Sequence, residues 1–149
     1  MKVCIQPHFV GREPVWEEHK EFYKNCVGPG WQKHLDDLTL KLEALGWNGM
    51  LDQVKEKFGT LRFYWVNNIQ GIFGEIAEDL VENAEARSGF ICEECGKYGK
   101  LRGQGWVVTL CTECWEKRLK EKNKLVVAAL VEADGCTCKG DFTCEAHRA

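Results

Sequence analysis

The sequence contains no apolar run that approaches the roughly 20 residues required for a membrane-spanning helix. Its opening stretch, MKVCIQPHFVGREP, also lacks the apolar centre of a secretory signal peptide. Internal repeats and low-complexity segments are absent as well. These absences predict a soluble protein of the cytoplasm rather than a membrane or secreted protein.

The motifs of common enzyme classes are missing too. The sequence has no Gly-rich phosphate loop after a predicted strand, no G-x-S-x-G and no H-E-x-x-H. The acidic pairs Glu17-Glu18 and Asp36-Asp37 fall in predicted helices, where adjacent side chains point about 100° apart and do not form paired-carboxylate sites. The formal charge of -3 argues against a general polyanion binder. We therefore expect a protein that is not an enzyme.

Aromatic residues, in contrast, are abundant. Six Trp and seven Phe occur among 149 residues, of which 44% are hydrophobic and 29% are charged. A chain of this length can bury a core without depending on metal for all of its stability. The aromatic residues therefore predict a compact aromatic core, an aromatic binding surface, or both.

Four stretches have apolar residues at helical spacing. They cover residues 14–26, 31–45, 71–87 and 111–132. On the third helix, the side chains expected to point inward are Ile72, Phe73, Ile76, Leu80 and Ala84. Residues 50–66 alternate as two strands around a turn at Phe58-Gly59. The sequence predicts an α+β fold, with three or four helices packed on a β-hairpin, a zinc-ribbon or knuckle unit and a short Cys/His-rich C-terminal tail.

The strongest motif consists of two C-x2-C pairs separated by 15 residues. Each pair lets two sulfurs of a tight turn face one ion, so that four thiolates surround a tetrahedral zinc. Gly96 follows the first pair, where such a knuckle often needs a left-handed residue, and the second pair opens a helix. Four protein ligands leave no place for water, which indicates a structural site; iron and a redox dithiol are the alternatives. The predicted ligands are Cys92, Cys95, Cys111 and Cys114.

A second group of soft ligands occurs near the C-terminus as C-x-C-x5-C-x2-H. The total of nine cysteines is odd, which fits poorly with a closed disulfide set and better with reduced, metal-binding thiols. So short a segment has almost no apolar core, and a metal ion would be what orders it. The predicted ligands of this second zinc ion are Cys136, Cys138, Cys144 and His147, and the alternative is a tail with exposed thiols.

Residues 97–124 form a basic segment, with 8 basic and 3 acidic side chains in an otherwise acidic chain. Basic side chains near an aromatic ring are what contacts to nucleic-acid phosphates and bases require. The alternative is a solvated helix face, because Glu113, Glu116 and Glu121 are interleaved at spacings that pair with lysines. The candidate contacts to nucleic acid or another partner are Lys100, Arg102, Trp106, Lys117, Arg118, Lys120, Lys122 and Lys124.

Two segments resemble a group of small, largely uncharacterised zinc-binding proteins of bacteriophage and prophage genomes. The first is QVKEKFGTLRFY, at Gln53–Tyr64. The second spans Cys92–Cys114 and has the pattern C-x2-C-G-x-x-G-x-x-R followed by GW-x-x-T-L-C-x2-C. The resemblance covers about residues 28–115 and does not include the tail cluster. It implies a phage context and a bound metal, and it implies no reaction.

The sequence therefore predicts a helical and hairpin core at 1–89, a Cys4 zinc unit with its following helix at 90–133, and a Cys/His-rich tail at 134–149. The favoured function is that of a phage-type accessory protein in the host cytoplasm, which binds and modulates a host protein such as a defence or transcription protein. Binding of nucleic acid or nucleotides through the basic segment is the alternative, and an enzyme is a distant third.

Truncation after Gly135 tests the tail cluster. We expect the intact, reduced protein to hold about two zinc ions and the truncated protein about one, because three thiolates and an imidazole can close a second tetrahedral site. Elemental analysis of the purified proteins measures both values. A single zinc ion in both forms would show that the tail binds none.

Overall fold

The computed structural model describes residues 15–133, with side chains up to residue 130. Within this range the chain forms four α-helices and two antiparallel hairpins, which is the predicted α+β architecture. In chain order the elements are α1 (Trp16–Asn25), a 3-10 turn (Pro29–Trp31), α2 (Gln32–Ala44), β1 (Leu51–Lys57), β2 (Thr60–Trp65), α3 (Gly71–Ser88), β3 (Lys100–Arg102), β4 (Val108–Leu110) and α4 (Thr112–Ala133).

The chain divides into two compact units, of which the first ends at Cys114 and the second begins at Trp115. The second unit contains most of α4, and its side chains from residue 116 to residue 130 are exposed. None of the helices in residues 15–133 has the length and apolar character needed to cross a membrane.

The core of the first unit is rich in aromatic residues, as the sequence predicted. α3 packs against both β2 and α2, and α1 contacts β1. α2 ends at Ala44, and Gly46 just beyond it has a φ of 104°, which allows the amide of Trp47 to reach the carbonyl of Leu42 (3.0 Å) in a Schellman-type cap. The buried core residues are Trp16, Tyr23, Val27, Trp31, Leu35, Leu38, Leu42, Trp47, Leu51, Val54, Leu61, Phe63, Ala77, Val81 and Ala84.

The turn of the β1–β2 hairpin consists of Phe58 and Gly59, at the position that the sequence predicted. Both residues have positive φ, 54° and 77°. Two successive positive φ values are typical of a type I′ turn, in which Asn, Asp or Gly is the usual first residue. For an L-residue with a side chain, this conformation costs roughly 1–2 kcal/mol. The turn therefore holds a phenylalanine at some cost in stability.

α3 covers the outer edge of β2 with side-chain acceptors in place of a third strand. The amide of Leu61 donates to Ser88 Oγ (2.7 Å), and the amide of Phe63 donates to Glu85 Oε1 (2.9 Å). These hydrogen bonds satisfy backbone groups that would otherwise offer an edge for pairing with another strand.

The prediction of the buried face of α3 is wrong for three of its five residues, whereas Ala84 is buried and Leu80 packs against the core, as expected. Ile72, Phe73 and Ile76 were expected to point inward, but they are 67%, 57% and 41% exposed. Small residues are buried instead; at Gly74, for example, a Cβ would collide with the carbonyl oxygen of Ile69, in the loop that leads into α3. The buried residues of α3 are Gly74, Ala77, Val81, Ala84 and Ser88.

A pair of substitutions on α3 tests which face is buried. Val81 is 5% exposed, so Val81→Ala should lower the free energy of unfolding by about 1–3 kcal/mol. Ile72→Ala, on the exposed face, should change it by less than about 0.5 kcal/mol. Chemical denaturation measures both values. If Ile72→Ala were the more damaging substitution, α3 would bury the face that the sequence predicted.

Candidate metal centre

The four cysteines of the two C-x2-C pairs converge on one point. The sulfur atoms of Cys92, Cys95, Cys111 and Cys114 all lie within 4.8 Å of one another, and those of Cys95 and Cys111 are 3.6 Å apart. A tetrahedral zinc ion with Zn–S bonds of about 2.3 Å has sulfur–sulfur edges of about 3.8 Å. The cluster therefore has the composition and the size to hold a four-coordinate metal ion.

The first cysteine pair lies in a tight turn. The carbonyl of Cys92 accepts a hydrogen bond from the amide of Gly96 (2.9 Å), and the amide of Cys92 donates to the carbonyl of Lys97 (2.7 Å). Gly96 has a φ of 79°, which confirms the left-handed residue predicted after the pair. This turn leaves Cys92 buried and Cys95 exposed.

The second pair combines a strand end with a helix start. Cys111 follows β4 directly and is buried, while Cys114 lies in the first turn of α4. The amide of Cys114 is directed at the sulfur of Cys111, at 3.4 Å. Because helix-start amides carry partial positive charge, they favour a thiolate at this position.

Hydrogen bonds and mutual repulsion govern the protonation of the sulfurs. Burial raises the pKa of Cys92, but hydrogen bonds from the amides of Cys111 and Cys95, among others, outweigh it and lower this pKa to about 7. The pKa of Cys114 is raised, first by hydrogen bonding with the sulfur of Cys111 and then by burial. Metal binding must displace the remaining protons, so metal affinity should rise with pH.

The turn that contains the first cysteine pair packs against the segment that joins α1 to α2. The amide of Gly30 donates to the carbonyl of Glu93 (2.7 Å), and the indole of Trp31 donates to the carbonyl of Ile91 (2.7 Å). A Cβ at Gly30 would collide with the carbonyl oxygen of Cys92, and one at Gly28 would collide with that of Glu93. This close backbone approach fixes the first cysteine pair on the aromatic core.

Thr109 of β4 connects the metal centre to both hairpins. Its amide donates to Glu93 Oε2 (2.6 Å), and its carbonyl accepts from the amide of Glu93 (2.9 Å). Its hydroxyl donates to the carbonyl of Gly59 (2.6 Å) in the β1–β2 turn. Both Thr109 and Glu93 are buried, so these contacts are shielded from water and join β4 to the first cysteine pair and to the β1–β2 turn.

A groove of about 210 Å³ lies beside these contacts. It runs between the β1–β2 turn and the loop that joins β3 to β4. Its lining is mainly apolar, and its two aromatic walls are Phe58 and Trp106, which are 67% and 55% exposed. The other lining residues are Glu56, Lys57, Gly105 and Val107.

The basic segment predicted from the sequence is divided between the two units. In the first unit, Lys100 and Trp106 are exposed, whereas the Arg102 guanidinium donates to the Leu110 carbonyl (3.2 Å) and to Thr112 Oγ1 (3.1 Å). Arg102 thus holds β3 against the start of α4. The remaining candidates lie in the second unit and are all exposed: Lys117, Arg118, Lys120, Lys122 and Lys124. The tail ligands Cys136, Cys138, Cys144 and His147 lie outside the described residues.

Sequence reasoning identified the four sulfurs and missed the residues that position them. Gly28, Gly30 and Glu93 were assigned no role at the site, and Thr109 was seen only as a fixed position of the GW-x-x-T-L-C pattern. A glycine on each side of Pro29 was the one available signal, because paired glycines often mark a close backbone approach. No known protein family, curated protein or solved structure matches this chain.

Gly30→Ala tests the docking of the first cysteine pair. The new methyl group would meet backbone atoms of Cys92 and lie 2.6 Å from the amide nitrogen of Gly96, so we expect a loss of about 3 kcal/mol or more and weaker metal binding. Gly46→Ala is the matched control. Its Cβ would meet no atom within 4 Å, so only its positive φ should matter, at about 1–2 kcal/mol, with metal affinity unchanged. Denaturation and a chelator competition assay measure the two quantities, and equal effects would argue against the docking.

Proposed function

We propose that this chain is a non-enzymatic zinc-binding protein whose metal centre supports a surface for binding another protein. The observation that carries the proposal is the hydrogen-bonded connection from the Cys4 cluster, through Thr109, to the turn beside the apolar groove. Zinc is the proposed ion because four thiolates favour zinc over hard cations such as magnesium. Four protein ligands leave no open coordination position, which supports a structural role.

The short strands beside the cluster explain why a metal would be needed. β3 and β4 have three residues each, and a two-stranded hairpin of this size is marginal in water. Cys92 and Cys95 precede this hairpin, and Cys111 and Cys114 follow it, so a bound ion would join its two ends. In this proposal zinc fixes the hairpin, and the hairpin positions one wall of the groove.

The groove supports a protein partner rather than a small substrate. Its volume of about 210 Å³ is below the roughly 300–1,000 Å³ typical of small-molecule sites. Large exposed aromatic residues are enriched where proteins bind one another. Together with the resemblance to phage and prophage proteins, this supports a host protein as the partner, bound in the host cytoplasm.

The exposed cations of α4 favour nucleic-acid binding as a second candidate function. Among the described residues, none of these cations forms an ion pair with a carboxylate. They are Lys117, Arg118, Lys120, Lys122 and Lys124. In the first unit, by contrast, Lys97 pairs with Glu113 (3.6 Å), and Arg102 is held by its own hairpin. The second candidate therefore depends on α4 and not on the groove.

Cys114→Ser tests the metal assignment. We expect the variant to lose the zinc of this site and to unfold locally over residues 90–115, because structural zinc contributes on the order of 10 kcal/mol in isolated fingers. The independent aromatic core should stay folded. Elemental analysis and hydrogen exchange measure the two effects. Unchanged metal content together with unchanged thermal stability would contradict the assignment.

A capture experiment tests the two functions against each other. The zinc-loaded protein is immobilised, exposed to nuclease-treated bacterial lysate, and compared with Cys114→Ser. We expect a host protein to be retained by the zinc-loaded form alone. In parallel, binding to duplex and single-stranded DNA and RNA is measured over a salt series. Binding that falls steeply with salt would favour the nucleic-acid function, because phosphate contacts release counterions.

A further inference from the structure

Phe58 is neither the residue that its backbone favours nor a member of the core. Its φ of 54° suits Asn or Gly, and its side chain is 67% exposed. Strained residues of this kind are often found at functional sites. The phenyl ring therefore needs an explanation outside the folding of the hairpin.

Trp106 forms the opposite wall of the groove and is presented in a similar way. It follows Gly105, whose φ is 82°, and a Cβ at Gly103 would lie 2.6 Å from the Trp106 carbonyl oxygen. The loop that joins β3 to β4 is thus shaped by glycines, and it leaves the indole 55% exposed. The two exposed rings face the same groove from two different hairpins.

The two walls are fixed relative to each other by contacts beneath them. Thr109 Oγ1 donates to the carbonyl of Gly59, and Glu56 Oε1 accepts from the amide of Gly59 (2.6 Å). Leu101 packs closely against Gly59, where a Cβ would collide with its Cδ1 atom. Such a surface is preorganised. Its own side chains and loops therefore lose little conformational freedom when a partner binds.

The charges at the groove are asymmetric. The Glu56 carboxylate is engaged by the turn amide of Gly59, whereas the Lys57 ammonium lies 5.5 Å from the centre of the Phe58 ring. Lys55 lies on the same strand, 5.3 Å from the ring of Tyr64. Among the described residues neither lysine forms an ion pair, so the strand beside Phe58 is complementary to carboxylates.

We propose that Phe58 and Trp106 form an aromatic clamp for one large apolar side chain of a partner protein, in a segment that carries carboxylates beside that side chain. This inference rests on the proposed function and names the surface and the chemistry of the partner. A volume of about 210 Å³ suits a single anchoring side chain, and such anchors supply most of the binding energy of many interfaces.

The test uses the zinc-loaded protein and synthetic dodecapeptides as probes. Each peptide has Trp, Leu or Ala at its centre, with flanks of Glu, Ser or Lys. We expect Glu-flanked peptides with Trp or Leu to bind at least about tenfold more tightly than the Ala peptide, since one buried anchor typically contributes this much. Equal binding of the Ala peptide, preference for Lys flanks, or no binding would overturn the clamp.

Phe58→Asn separates binding from folding. Asn suits a positive φ, so the unfolding midpoint should stay unchanged or rise, while binding of the Glu-flanked Trp peptide should fall by about tenfold or more. The matched control is Phe73→Ala, which removes a 57% exposed ring from α3 and should leave peptide binding unchanged. Unchanged binding of this peptide by Phe58→Asn would contradict the clamp. So would binding of a 12-nucleotide oligothymidylate that disappears in Phe58→Asn, because the rings would then stack on bases.

The clamp and the proposed function fail in different ways. If Phe58→Asn captures the same host protein as the unsubstituted chain, the clamp is wrong and the protein-binding function stands. If the unsubstituted chain captures no host protein while the peptides bind as expected, the proposed host partner is wrong and the clamp stands.

Discussion

The structure depends most on the close approach between the chain at Gly28–Gly30 and the first cysteine turn. Two backbone segments meet there with no side chain between them, and the Gly30 amide donates directly to the Glu93 carbonyl. A hydrogen bond of this kind contributes only about 1 kcal/mol by itself. Its importance lies in position, because it links the helical core, the cysteine turn and, through Glu93, the strand that carries Thr109.

The unpaired amides at a strand edge are satisfied by a glutamate side chain twice in this protein. A glutamate side chain accepts the outward amide of a strand in both hairpins: Glu85 for Phe63, and Glu93 for Thr109. Each hairpin has only two strands, so each would otherwise present unpaired amides. Side-chain acceptors allow both hairpins to remain two-stranded, with α3 against β2 and with Leu101 and Thr109 of the second hairpin against the turn of the first.

Residue spacing was sufficient to predict the parts of the fold that depend on local chemistry. The convergence of the four cysteines, the hairpin turn and the left-handed Gly96 were all predicted, because each follows from a short motif. The buried face of α3 was predictable from hydrophobicity only in its second half, at Leu80 and Ala84. In its first half the helix buries Gly74 and Ala77 and leaves the larger Ile72 and Phe73 exposed, so apolar character alone gives the wrong face there. The contacts of Thr109 with Glu93 and Gly59 were missed because these partners are 16 and 50 positions away in sequence, although Thr109 itself is a fixed position of the GW-x-x-T-L-C pattern.

The contact between Trp31 and Ile91 has a consequence for the order of folding. These residues are 60 positions apart in sequence, yet their hydrogen bond sets the place of the first cysteine turn. Closing so long a loop is entropically costly until the segments between its ends have formed structure of their own. The helices and the β1–β2 hairpin should therefore form first, and the cysteines should gather only afterwards. Metal binding would then be a late step in folding. A shortage of metal would leave a folded core next to an unfolded cysteine segment.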